Sequence, residues 1–248
     1  MRMLSVISGK GGVGKTTVTA NLSVALSKLG FNVTAVDLNV TTPHLGIQFG
    51  YYLPEVSLHD ILKNVEKLRE GIYIHPSGVK LIPGDLNVEK ISGLELSNLE
   101  KILYNLNSDF VILDSAAGLG REALASITHS HEVLIVTNPD LPSVVDALRV
   151  IKIVEKTGKN ILGIVLNRVG RSGNELKKET IEKYTNYKVI AQIPEDKWVV
   201  KSIEERIPLV YLKPNSKAAI EMMNLAYAIL GSTYRKKISL WDRIFSWV

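Results

Sequence analysis

The 248-residue chain has no cysteine. Disulfide cross-links, thiolate metal sites and thiol nucleophiles are therefore excluded at once. It also lacks any run approaching the roughly 20 apolar residues that carry a helix across a bilayer. Its first apolar run, "MLSVIS", is short and passes straight into a glycine-rich loop. That run reads as a strand and not as the apolar core of a signal peptide, so the expected setting is cytoplasmic. Glutamine is scarce (Gln48 and Gln192), which together with the missing cysteine would suit a heat-adapted source. The five histidines, His44, His59, His75, His129 and His131, show no metal-ligand spacing, and "HSH" reads as a helix end or loop.

What is present is ordinary for a soluble globular chain: 46% hydrophobic and 22% charged residues. The length suffices for one α/β domain with a substantial core. The net charge is +5, and +3 of it lies within the last fourteen residues, where Arg235, Lys236, Lys237 and Arg243 outweigh Asp242. The basic excess therefore belongs mostly to the tail.

Short apolar runs recur along the chain: "LSVIS", "VTAVD", "DFVILD", "EVLIVT", "NILGIVLN" and "KVIAQIP". They lack the apolar–polar alternation of a half-exposed strand, as expected of parallel strands covered on both faces. Helical patterns separate them. In the first, Val18, Leu22, Ala25, Leu26 and Leu29 share a face and Gly30 supplies the stop. "SLHDIL" opens with Ser57 and Asp60 at capping-box spacing, and "VDALRVIKIVEKTG" and "NSKAAIEMMNLAYAIL" are further amphipathic helices. The alternation predicts a doubly wound, mostly parallel sheet with helices on both faces and ligands beyond the carboxyl ends of its strands. Residues 1–231 are expected to form this domain, and residues 232–248 a linker and amphipathic tail.

"GKGGVGKT", from Gly9 to Thr16, fits G-x-x-x-x-G-K-T between a predicted strand and a predicted helix. Small residues such as Gly11, Gly12, Val13 and Gly14 let backbone N–H groups turn toward phosphate oxygens, and the helix start adds partial positive charge. Lys15 is expected on the β- and γ-phosphates, Thr16 on Mg²⁺, and Thr17 on the α-phosphate. Lys10 is one lysine more than such a loop needs. By itself it could be a solvated loop residue.

The stretch "GKGGVGKTT" resembles the deviant phosphate loop of the MinD/ParA ATPases. In that family the early lysine reaches across a nucleotide-sandwich dimer, so the resemblance implies that Lys10 serves the partner's ATP in an ATP-dependent homodimer. "FVILDSAAGLG" resembles the family's second switch. There Asp114 would hold Mg²⁺ through water together with Thr16, and Gly118 would offer its N–H to the γ-phosphate; alternatively, Asp114 caps the next helix and Gly118 is a plain turn. "VLNRVGRSG" resembles the family's base-recognition strand, with Asn167 on the adenine edge and Arg168 beside it, although a strand-end Asn can simply form a turn. "IPED", with Pro194, Glu195 and Asp196, resembles the loop that closes over the base.

One motif departs from the family. The first switch usually reads Asp-x-Asp, but here "VDLNVTTPHLG" places Asp37 at the first position and Asn39 at the second. In the family the first carboxylate serves the metal and the second orients the attacking water. An amide has nearly the shape of a carboxylate but cannot take up a proton. Natural or engineered, this Asn leaves binding and dimerisation expected and makes fast hydrolysis doubtful.

In the tail, "STYRKKISLWDRIFSWV", helical spacing puts Ile238, Trp241, Ile244, Phe245 and Val248 on one face, opposite Ser239, Asp242, Arg243 and Ser246. Aromatics opposite a polar face, introduced by basic residues, describe an interfacial anchor for an anionic membrane surface. A helix docked on the protein's own core is the alternative. The resemblance, with this tail, implies a MinD-like ATPase on the inner face of the membrane that positions division or cell-envelope machinery through an unidentified regulatory protein. A ParA-like partition ATPase gripping DNA without sequence specificity is the second reading, with Arg149, Lys152 and Lys156 about one turn apart as candidate phosphate contacts. A dethiobiotin-synthetase-like ligase is the third, and the tail argues against it. Iron–sulfur carriers of the same superfamily need cysteines and are excluded.

Overall fold

Eight strands form one sheet in the computed structural model, which describes residues 1–91 and 94–231. The elements run β1 (Arg2–Ile7), α1 (Lys15–Lys28), β2 (Val33–Asp37), α2 (Leu45–Gln48), α3 (Leu58–Lys63), β3 (Tyr73–Ile74), β4 (Lys80–Ile82) and α4 (Leu99–Tyr104). They continue with β5 (Phe110–Asp114), α5 (Arg121–Thr128), β6 (Glu132–Thr137), α6 (Leu141–Lys156), β7 (Asn160–Val169) and α7 (Lys178–Thr185). β8 (Val189–Pro194), α8 (Lys197–Glu204), α9 (Leu209–Leu212) and α10 (Lys217–Ile229) complete the described chain. The spatial order is β3-β4-β2-β5-β1-β6-β7-β8, and all pairs are parallel except β3 with β4.

The six long apolar runs became β1, β2, β5, β6, β7 and β8. Along β1, Leu4 and Val6 join Leu22, Leu26, Leu225 and Met222 in the core on one face, with α1 and α10. Met3 and Ile7 point the other way, into two separate clusters, one with α3 and α4 and one with α6 and α7. Apolar residues on both sides of the pleat leave no polar stripe, and this is why the runs read as continuous. Each fully buried Leu, Ile or Val stabilises the fold by about 1.5–3 kcal/mol relative to leaving it in water. Between those two clusters the Ser5 and Ser126 hydroxyls bond to each other, seating α5 on β1.

Local signals act as expected. Asp60 accepts from the Ser57 N–H at 2.9 Å, closing the α3 capping box. Gly30 follows α1 with φ +92°, a left-handed turn that costs glycine nothing. β3 and β4 are two and three residues long, too short to give a sequence pattern. Arg149, Lys152 and Lys156 lie on the exposed face of α6, and Arg149 pairs with Asp146. The two halves of the chain are wound to either side of β1, so the loop leaving β1 sits at the point where the strand order reverses.

Candidate nucleotide-binding site

At that reversal point a cavity of about 820 Å³ opens over the glycine-rich loop. Its floor is the start of α1. Gly14, with φ +92°, precedes the helix, which has neither a side-chain cap nor an acidic residue in its first turn. By contrast, α6, α8 and α10 are each capped by the side chain of their own Asp140, Asp196 or Ser216. Uncapped N–H groups and the helix dipole make the floor of the cavity an anion site. Among the described residues, Lys10, Lys15, Arg121 and Arg168 add four cations to the lining, against Glu122 as its one acidic residue.

The two loop lysines differ sharply. Lys15 is 7% exposed, and its ammonium lies 2.8 Å from Oδ1 of the fully buried Asp114. Thr19 donates to the same oxygen at 3.0 Å, and Thr16 donates to Oδ2 at 2.7 Å. Asp114 thus binds the phosphate loop and not the following helix, whose N-cap is Gly120. Lys10 is exposed, and its ammonium has no hydrogen-bond or ion-pair partner among the described residues.

Asp37 faces Asp114 across the β2–β5 register. Burial, and then the neighbouring Asp114 charge, push its carboxyl up to about 8, although the Leu45 and Asn39 N–H groups and Lys15 oppose this. Magnesium suits this corner: its donors are the hard oxygens of Thr16, Asp114 and Asp37. Among the described residues no group of three or more acidic or histidine side chains could hold a metal alone, and Mg²⁺ usually takes one or two carboxylates plus substrate phosphates. The Asn39 amide is closed within its own loop: Nδ2 donates to the Thr42 carbonyl at 2.5 Å and Oδ1 accepts from the Thr42 hydroxyl at 3.1 Å. Gly118 lies in a left-handed turn, and its N–H donates to the Ser8 carbonyl at 2.9 Å.

A second, smaller cavity of about 70 Å³ adjoins the first, sharing Gly14, Thr17 and Arg168 with it. Asn167, Pro194, Glu195 and Asp196 line it, so the two sequence-predicted base motifs converge on one pocket. Asn167 Nδ2 donates to the Val13 carbonyl at 2.7 Å, tying the base strand to the phosphate loop. The Asp196 carboxylate has structural work: it caps α8 at Trp198 N–H, 2.9 Å, and accepts from Ala218 N–H, 3.2 Å. It therefore shapes the pocket wall by holding α8 and α10 together.

Sequence reading passed over several side chains here. Thr41, Thr42, His44 and Gln48 line the large cavity from the first-switch side, and Arg121 and Glu122 line it from α5. The "TTPH" that begins two residues beyond Asn39 and the "RE" directly after the second-switch stretch were the available signals. The tail motif lies outside the described residues. Among those described, no helix is long and apolar enough to cross a membrane.

A mostly parallel sheet, a glycine-rich loop at its switch point and an adjoining base pocket define a P-loop nucleotide-binding protein. The chain belongs to the CobQ/CobB/MinD/ParA nucleotide-binding family, matching its domain over residues 4–209. It is 35% identical over 237 residues to an uncharacterized ATP-binding protein of Methanocaldococcus jannaschii, covering 95% of this chain and 90% of that one. Its structure is similar to the cell division ATPase MinD of Pyrococcus furiosus, with TM-score 0.89, 38% identity, and 93% and 98% of the two chains covered. The septum site-determining protein MinD of Pyrococcus horikoshii, solved with Mg-ADP, gives TM-score 0.87 at 34% identity over 97% and 98% of the chains. MinD of Aquifex aeolicus has also been solved in complex with MinC, at TM-score 0.82 and 28% identity, covering 96% and 99%. The family is one of P-loop ATPases.

Proposed function

We propose that this protein is a MinD-like, ATP-driven switch that dimerises around ATP, holds an anionic membrane surface as a dimer, and lets go after slow hydrolysis. The observation that carries the reading is the contrast between the two lysines. Lys15 is buried on Asp114, whereas Lys10 stands exposed at the cavity with no acid to neutralise it among the described residues. A free cation beside a phosphate site is matched by phosphate charge from a second copy, which links dimerisation to the triphosphate. ATP binding draws Lys15 from Asp114 onto the β- and γ-phosphates. Asp114 and Thr16 are then free to hold Mg²⁺, which offsets charge on the phosphate oxygens. Thr17 and the α1 N–H groups bind the α-phosphate, Asn167 and Arg168 meet the base, and Pro194 and Glu195 close its pocket. Gly118 exchanges the Ser8 carbonyl for the γ-phosphate and returns when that phosphate leaves. Asn39 slows turnover, since the first switch then supplies no carboxylate to the attacking water.

The output is spatial: placement of division or cell-envelope machinery through a regulatory partner. Residues 232–248 supply the membrane contact. One amphipathic tail binds only marginally, at the level of a single acyl anchor. A dimer carries two tails, and the second engages at high effective concentration, so avidity rises about 10²-fold. The test is sedimentation with anionic liposomes and, separately, with duplex DNA, each with ATP and with ADP. Liposome binding that needs ATP, weakens with salt and disappears on deleting residues 238–248 is the expected result. ATP-dependent binding to DNA alone would move the chain to the partition class.

A further inference from the structure

Among the described residues, four cationic side chains border the large cavity, but only one acidic side chain does, that of Glu122 in the first turn of α5. We propose that Glu122 is the carboxylate that orients the attacking water and takes its proton, the part that Asn39 cannot fill; this rests on the ATP-hydrolysing reading above.

The other acids near the phosphate loop are engaged elsewhere. Both Asp37 oxygens accept backbone N–H groups, from Asn39 at 3.2 Å and Leu45 at 2.8 Å, and Asp37 is fully buried. Asp114 is held by Lys15, Thr16 and Thr19. Neither lines the cavity. Asn39 is folded back on Thr42. Glu122 is half-buried, and its Oε1 accepts a hydrogen bond from the Thr41 hydroxyl, two residues beyond Asn39. Among the described residues it has no cationic partner; the adjacent Arg121 turns instead to the Leu94 carbonyl at 2.8 Å. Oε2 accepts no hydrogen bond among the described residues, and the Glu122 side chain lines the cavity.

The Thr41–Glu122 bond joins the first switch to the helix that follows the second. Asn39 and Gly118, at the two switch loops, lie two and four residues from its ends, so a γ-phosphate that orders both loops also sets where the carboxylate stands. In the step itself, the water oxygen forms a bond to the γ-phosphorus while a water proton passes to Glu122. The bond from that phosphorus to the β–γ bridging oxygen breaks, and its electron pair leaves with ADP. The proton on Glu122 then goes to the product phosphate or to solvent, so ATP and water become ADP and inorganic phosphate.

The test is Glu122→Gln in the full chain. Glutamine keeps the shape and can still accept from Thr41, so the contact between switches survives and only proton uptake is lost. ATP turnover, Mg-ATP affinity and ATP-dependent dimerisation are measured side by side on the parent and the variant. The expected result is a kcat about 10²-fold lower, the low end for a positioned acid–base group, with affinity and dimerisation unchanged. Adding Asn39→Asp should restore turnover, because a carboxylate returns from the opposite switch. A Glu122→Gln protein that turns over at the parent rate overturns the proposal. So does one whose lost turnover is matched by lost affinity, which would mark a structural role. A parent that binds Mg-ATP but hydrolyses none overturns the ATPase reading itself.

Discussion

Asn167 leans over Gly14 so closely that a Cβ on Gly14 would stand 2.1 Å from the Asn167 Nδ2. That nitrogen is the one bonded to the Val13 carbonyl at 2.7 Å. The glycine is required twice over, by this contact and by its φ of +92°.

Gly14→Ala should therefore displace Asn167 and strain the loop. Left-handed strain of about 1–2 kcal/mol and a lost hydrogen bond of about 1 kcal/mol predict a stability loss near 2–3 kcal/mol. Because the shift lies where the phosphate and base pockets meet, nucleotide affinity should fall at least about 10-fold (about 1.4 kcal/mol). Thermal unfolding and titration with a fluorescent nucleotide read the two effects; parent-like affinity would separate the Asn167 contact from binding.

Lys10 and Lys15 should respond differently to removal. Lys10→Ala breaks no side-chain hydrogen bond or ion pair among the described residues, so its stability should stay within about 0.5 kcal/mol of the parent while ATP-dependent dimerisation is lost. Lys15→Ala leaves the buried Asp114 without its counter-ion, at a cost of about 3 kcal/mol or more, and weakens nucleotide binding itself. Sedimentation velocity with ATP and urea unfolding distinguish the two. A Lys10→Ala protein that dimerises normally with ATP would remove the partner-directed role.

Asn39→Asp carries opposing effects. The new carboxylate would face the Thr42 carbonyl that now accepts from Nδ2 at 2.5 Å, so the loop bond is lost and stability drops by about 1 kcal/mol. Once turned toward the cavity, the same carboxylate should raise kcat about 10-fold or more. A variant equal to the parent in turnover would mean that Glu122 already orients the water fully, without help from the first switch.

The Asp60 carboxyl gives a pH dependence that can be assigned. Burial opposes its ionisation, but Lys90 and the Ser57 hydroxyl and N–H outweigh burial and bring its carboxyl from 3.8 down to about 2. Lys90 is shared at 2.7 Å with Asp85, whose carboxyl is lowered too. A carboxyl lowered by folding stabilises the protein above its unfolded value, so the contribution is complete above about pH 4 and is lost as pH falls toward 2. Partial exposure of Lys90 limits it to about 1 kcal/mol. Lys90→Met should lower stability by about that much at pH 7 and by much less near pH 2.5. Urea unfolding at the two pH values checks this; equal losses at both would point to packing by the lysine stem.

Interactions that close within a few residues were legible in the sequence because spacing alone specifies them. The loop from Gly9 to Thr16, the Ser57–Asp60 capping box, the Gly30 stop and the six long strands all belong here. The two carboxylates Asp37 and Asp114 were legible too, since strand-end acids after apolar runs stand at the carboxyl edge of a parallel sheet. The tertiary structure decided what meets across the sheet. Lys15 contacts Asp114 only because β5 lies beside β1, and Thr41 reaches Glu122 across 81 positions only because β2 and α5 converge on the same cavity. β3 and β4 form because β2 offers them an edge; two or three residues have no periodicity of their own. Such partners are chosen by packing over the whole sheet, in which each strand's apolar faces must be covered on both sides, and no local pattern of residues encodes that choice.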